Sequence, residues 1–183
     1  MQFVFDEPKT AQAAAYLLSL RDDRMSYMKL IKLLYIADRH ALLETGYPLT
    51  GDAMYSMPHG PVLSRVLDFI HDGTSAIWRK YISSPTADYE VSRVGELETD
   101  RLSEYDIEVL ERVDSQFGDL DQWQLEDYTH ANFPEWEDPD GSRLPIDASL
   151  ILEDAGWEPA DVQHVSSQTR AVSAFQKRFA HNG

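Results

Sequence analysis

The sequence predicts a mainly α fold: a compact multi-helix domain with one short β-hairpin and a helical C-terminal extension. Three observations carry this. Apolar residues recur at helical spacing in one stretch after another, caps and glycines bracket those stretches, and only one place shows strand-like alternation. The chain has 183 residues, 43% of them hydrophobic, with 9 glycines and 9 prolines, which is a core-forming composition for one domain with an appendage.

Thr10 is the expected N-cap of a first helix reaching residue 21, with Ala11, Ala14, Leu17 and Leu18 on one face and Asp22-Asp23 closing it. A second helix is expected to start at Ser26, run through Glu44 and stop at Gly46. Its apolar positions leave almost no polar arc, so it is expected to be the central buried helix. Tyr47-Pro48 and Gly51-Asp52 punctuate a loop, and Pro58-His59-Gly60-Pro61 marks a sharp turn. Pro61 suits the first turn of a third helix, with Val62, Val66, Leu67 and Ile70 inside and Gly73 at its end. Residues 78–83 and 89–94 are expected to form the hairpin. Ser103 and Asp106 have the spacing of a capping box opening a helix with Ile107, Leu110, Val113 and Phe117 on one stripe. Asp121 caps a shorter helix holding Trp123, Leu125 and Tyr128, and residues 129–136 look aromatic and turn-like. Polar residues 137–143 are expected to be a linker or exposed loop. Asp147 then caps a short helix stopped at Gly156, and Pro159 opens a last one with Val162, Val165, Val172, Phe175 and Phe179 on one stripe. The expected division is a body over residues 1–136 and a helical extension over 137–183.

No run approaches the ~18 uncharged apolar residues of a membrane span, and the first residues show no basic region followed by an apolar stretch, so a cytoplasmic protein is expected. The absence of cysteine excludes disulfides, thiol catalysis and cysteine-based zinc sites. Sixteen basic residues face 32 acidic ones, for a net charge of −16. The excess is local: residues 1–80 hold 9 of each sign, residues 88–161 hold 23 acidic and 4 basic, and beyond them come only Arg170, Lys177 and Arg178. Such a balance argues against DNA binding, which needs clustered cations. It fits either solubility or an acidic surface that steers toward a basic partner.

Catalysis finds no positive support. The six histidines never share His-x-x-x-His spacing, and no nucleophile elbow or phosphate-binding glycine loop occurs. One dipeptide, His71-Asp72, matches the metal-binding pair of metal-dependent phosphohydrolases, with His40 or His59 as an upstream ligand; it defines a hydrolase alternative. Neither a metal nor a cofactor is expected, and the protein is expected not to be an enzyme. Lys29 and Lys32 lie three apart in the most apolar helix, so they must snorkel, pair with acids such as Asp38 or Asp52, or edge a partner groove.

The string Lys29-Leu30-x-Lys32-Leu33-Leu34-Tyr35-x-Ala37-Asp38, then residues 46–52 with Asp52, then Tyr55 and His59-Gly60-Pro61-Val62, resembles the Panacea antitoxin domain of the SocA-like family. Leu125-x-x-Tyr128-Thr129-His130 followed by Pro134-x-Trp136 is similar to that family's closing motif. The likeness runs from residue 9 to residue 136 in one order. It implies a helical antitoxin of a type II toxin–antitoxin pair, often prophage-associated. Such a protein neutralises a cognate protein toxin, encoded by the adjacent gene, through direct contact. The SocA branch implies an alternative, an adaptor delivering the toxin to a bacterial protease. The family motif then comprises Lys29, Lys32, Tyr35, Asp38, Asp52, Tyr55, His59, Gly60, Pro61, His130 and Trp136. Toxin specificity is expected in the extension, with Trp157, Val165, Val172, Phe175 and Phe179 as apolar anchors of a helix laid in a groove.

Overall fold

The computed structural model describes residues 1–180, with side chains through residue 175. The chain opens with α1 (Glu7–Ser19), β1 (Arg24–Ser26) and α2 (Tyr27–Thr45), followed by β2 (Met54–Met57), β3 (Gly60–Leu63), α3 (Ser64–Asp72) and α4 (Ala76–Tyr81). Next come β4 (Glu90–Ser92), α5 (Glu104–Phe117), α6 (Gln122–Asn132), β5 (Leu144–Pro145), α7 (Ala148–Asp154) and α8 (Pro159–Ala180). The fold is mainly helical, with two small antiparallel sheets ordered β1-β4 and β3-β2-β5.

α2 is the axis. Every residue from Leu30 to Asp38 is buried, and α1, α5, α6, α7 and β3 pack around it. Its sequence dictates this, because each large aliphatic side chain removed from water contributes about 1.5–3 kcal/mol and only a helix surrounded on all sides can bury so many. Gly46 ends it in the left-handed conformation (φ 81°), returning its N–H to the Leu42 carbonyl. A Cβ at Gly46 would stand 3.0 Å from Val165 Cγ2, so the same glycine leaves room for α8.

The caps at Ser103, Asp121 and Asp147 and the stops at Gly73 and Gly156 lie where the sequence placed them. Four readings are corrected. The cap of α1 is Asp6, which accepts from the Lys9 N–H, while Thr10 is buried one turn later and donates its hydroxyl to the Asp6 carbonyl. Pro61 lies in a strand, not in the first turn of a helix. β3 is an edge strand, where a residue without an N–H is tolerated, and Met57 pairs with Gly60 across the Pro58-His59 turn. The expected hairpin over 78–94 is absent. Ser75 accepts from the Trp78 N–H and starts α4, whose three-residue spacing buries Trp78 and Tyr81 together, so β4 pairs with β1 instead and only an Ile82–Arg93 bridge remains. Finally, residues 129–132 continue α6, held by the Asp121–Gln124 capping box.

After the loop at 137–143, β5 adds to the edge of β2, α7 packs on α2, and α8 packs on α7. The inner stripe of α8 is Val162, Val165, Thr169 and Ser173, all buried. Two small polar residues on the buried face are why an apolar-only stripe put Val172 on the wrong side.

Candidate functional site

The motif residues of α2 turn inward, and each fixes a different piece of chain. Lys29 donates to the Gly118 carbonyl at 2.6 Å, tying the end of α5, and burial lowers its amine's pKa. Lys32, 2% exposed, donates to the Pro61 carbonyl at 3.1 Å, and burial pushes its amine from 10.5 down to about 7. Tyr35 donates its hydroxyl to Glu135 Oε1 at 2.9 Å, and burial raises that phenol well above its ordinary value. Arg39 reaches the same carboxylate at 2.8 Å while its guanidinium lies 4.3 Å from the Phe133 ring centre. Asp38, fully buried, accepts from the Thr50 N–H at 2.8 Å and from the Thr50 hydroxyl at 2.5 Å; burial outweighs those bonds and raises its carboxyl to about 7. Neither lysine pairs with Asp38 or Asp52.

Asp52 supplies a cap from a distance. Leu63, which precedes α3, has no capping side chain, and the Asp52 carboxylate accepts from the N–H groups of Ala53, Arg65 and Val66 instead. Gly60 has φ 93° and lies against Lys32: a Cβ there would stand 2.8 Å from Lys32 Nζ and 2.9 Å from Thr129 Oγ1. Trp136 donates its indole N–H to the Met57 carbonyl at 3.0 Å and stacks on His130, with ring centres 3.7 Å apart. Burial lowers the pKa of His130, whose Nε2 is enclosed without a hydrogen-bond partner among the described residues. Tyr55, half-buried on β2, carries the Arg143 guanidinium 5.1 Å from its ring centre. The motif therefore converges on the β2–β3 hairpin and the close of α6, and most of its bonding capacity goes to its own chain.

His59 is the motif residue that faces out. Its Nδ1 lies 3.1 Å from the Glu126 carboxylate, and Trp123 meets it edge-on at 6.1 Å. Next to it opens an apolar groove of about 150 Å³, lined by Met28 and Ile31 of α2, Met57 and Pro58 of the hairpin, and Leu67 and His71 of α3. The His71 ring packs edge-on against Tyr27 at 5.7 Å, and Tyr27 meets Tyr89 at 6.2 Å. Among the described residues no group of three or more His, Asp or Glu side chains is placed to hold a metal ion, around His71-Asp72 or elsewhere. A larger hollow of about 490 Å³ lies between the first residues and the stretch from Pro145 to Ala148.

The expected anchors of the last helix divide. Val165 is buried and Trp157 packs against the core beside Gly46, so both are occupied by the chain itself. Val172 and Phe175 are exposed, and the side chain of Phe179 lies outside the described residues. Sequence reasoning missed Glu135 and Thr50, the partners of Tyr35, Arg39 and Asp38, because their pairing depends on tertiary placement alone. It placed Trp123 on the short helix capped by Asp121 and gave it no role, whereas Trp123 stands 54% exposed on that helix.

A family model described as "Antitoxin SocA-like, Panacea domain" matches residues 30–137, from the buried half of α2 to the residue after Trp136. No curated protein and no solved structure matches the chain.

Proposed function

The chain belongs to the SocA-like antitoxin family with a Panacea domain, and on that membership we propose that it is the antitoxin of a type II toxin–antitoxin pair, neutralising a cognate toxin by direct protein contact. The observation that carries the proposal is the span of the match, which encloses the whole Lys29–Trp136 cluster except Lys29 itself. The reading is of a binding protein without catalysis, acting in the cytoplasm. It accords with side chains whose polar groups are largely engaged by the chain itself, so that contact with a partner falls to the outer surface. Among the described residues no helix is long and apolar enough to cross a membrane.

The test is co-expression with the adjacent gene of the source genome, scored by growth and by co-purification. Rescue with a stable complex is the expected result. Rescue without a complex would replace sequestration by delivery to a protease, and a harmless neighbour with no rescue would remove the antitoxin reading.

A further inference from the structure

We propose that the face running from Tyr89 through Tyr27 and His71, across the apolar groove, to His59 and Trp123 is a docking site for a basic amphipathic helix of the partner protein. The proposal rests on the antitoxin reading for the partner's identity, and its test separates the two.

Two large aromatics stand exposed at the ends of this face, Tyr89 at 66% and Trp123 at 54%. Each touches a second ring that leads to the groove: Tyr89 meets Tyr27, which in turn meets His71, and Trp123 meets His59. The groove between them is apolar, and its methionines, Met28 and Met57, are side chains that remodel around an inserted group. A continuous apolar surface with aromatic ends marks an interaction site rather than scattered exposure. An α-helix presents side chains at i, i+3, i+4 and i+7 along one face, the arrangement a groove of this kind accepts.

Charge selects the occupant. Glu126 pairs with His59, Asp121 caps the helix that carries Trp123, Asp68 and Asp72 follow the lining residues Leu67 and His71, and Asp88 and Glu90 flank Tyr89. The groove's own cation, Lys32, is bonded inward to Pro61, and Lys29 is bonded to Gly118; Arg24 on β1 is the neighbouring cation left exposed. An apolar floor whose lining residues and end aromatics adjoin acids in the chain complements apolar residues flanked by lysine or arginine. A second copy of this chain would set the same acids against one another, which disfavours self-association through this face.

The experiment is fluorescence anisotropy with a labelled peptide of leucine and lysine at helical spacing, and with its counterpart carrying glutamate for lysine. The native chain is expected to bind the lysine peptide, with binding that weakens as salt rises, and not the glutamate peptide. Trp123→Ala should weaken binding about tenfold or more, Asp72→Lys should weaken it with the aromatics intact, and Leu150→Ala, at an exposed position on α7, should leave it unchanged; circular dichroism checks the fold of each variant. Absent binding, equal binding of the glutamate peptide, or indifference to both Trp123→Ala and Asp72→Lys overturns the proposal. So does a native dimer in sedimentation that Trp123→Ala dissolves, because the occupant is then a second copy. In the co-expression assay, rescue that survives both face variants overturns this docking site and leaves the antitoxin reading standing. Failure of the native chain to rescue removes the antitoxin reading, and the peptide titration then decides the face alone.

Discussion

Replacing Lys32 with methionine tests whether burial governs the centre of the motif. The amine is enclosed with one bond, to the Pro61 carbonyl, and the nearby Glu126 carboxylate favours its charged form. Burial wins and holds the folded pKa at about 7, against 10.5 for an ordinary lysine. A cation with a depressed folded pKa contributes stability that is complete above its unfolded value and lost as pH falls to the folded one. Between about pH 7 and pH 9 the unfolded chain binds one proton more than the native chain, so the native chain gains ~1.4 kcal/mol per pH unit, about 3 kcal/mol across that window. Below about pH 7 both states are protonated and this group adds no slope. Lys32→Met removes the titration and keeps an unbranched stem of similar reach. Urea unfolding of both chains, followed by circular dichroism at about pH 6, 7.5 and 9, measures the difference. The expected result is a variant that is more stable than the native chain at the acid end and loses that advantage as pH rises. Glu126 and His130, whose charges couple to the amine, are present in both chains, and without the amine His130 loses one of the influences that lower its pKa. Parallel pH curves for the two chains would refute the reasoning.

Gly60→Ala places a methyl group 2.8 Å from Lys32 Nζ at φ 93°, and it should lower stability by about 2–4 kcal/mol in thermal unfolding. Asp52→Ala removes the remote cap of α3 and should cost about 1–2 kcal/mol, with amide exchange accelerating at Arg65 and Val66 before it does in α5. Deleting the chain after Trp157 should lower the melting temperature, because it uncovers Gly46 and removes buried Val162 and Val165, each contributing about 1.5–3 kcal/mol. An unchanged melting temperature would mean that α8 lends the body no support.

Helix ends were the most legible part of the sequence because their signals are local. Gly46 can take the left-handed conformation that ends α2, and Ser103 finds Asp106 three residues away. What misled was chemistry that reads the same locally in two structures. Pro61 suits a helix start and an edge strand alike, and only pairing with β2 decides between them. Trp78 and Tyr81 fit a strand by composition, yet Ser75 and the shape of the core make them one turn of helix. In the site, the α2 residues were visible as a group because helical spacing puts them on neighbouring positions. Their partners Thr50, Gly118 and Glu135 were not visible, since those bonds join pieces of chain 12 to 100 residues apart.

Burying Lys32, Tyr35 and Asp38 costs desolvation that hydrophobic side chains of similar size would avoid, so stability alone does not account for them. What they share is that each fixes a non-local piece of chain: the hairpin at Pro61, the segment at Glu135 and the loop at Thr50. The hairpin supplies Met57, Pro58 and Val62 to the outer groove, and Lys32, whose amine holds the hairpin from inside, lines the groove itself. The inward chemistry and the outer face are thus linked through the position of the hairpin. It follows that loss of neutralisation in a Lys32 or Gly60 variant cannot mark either residue as a contact, because each moves the groove wall. Trp123 is the better probe of contact: it is exposed, and it meets the hairpin edge-on at the outward-facing His59 ring, not through a buried bond that holds the hairpin in place.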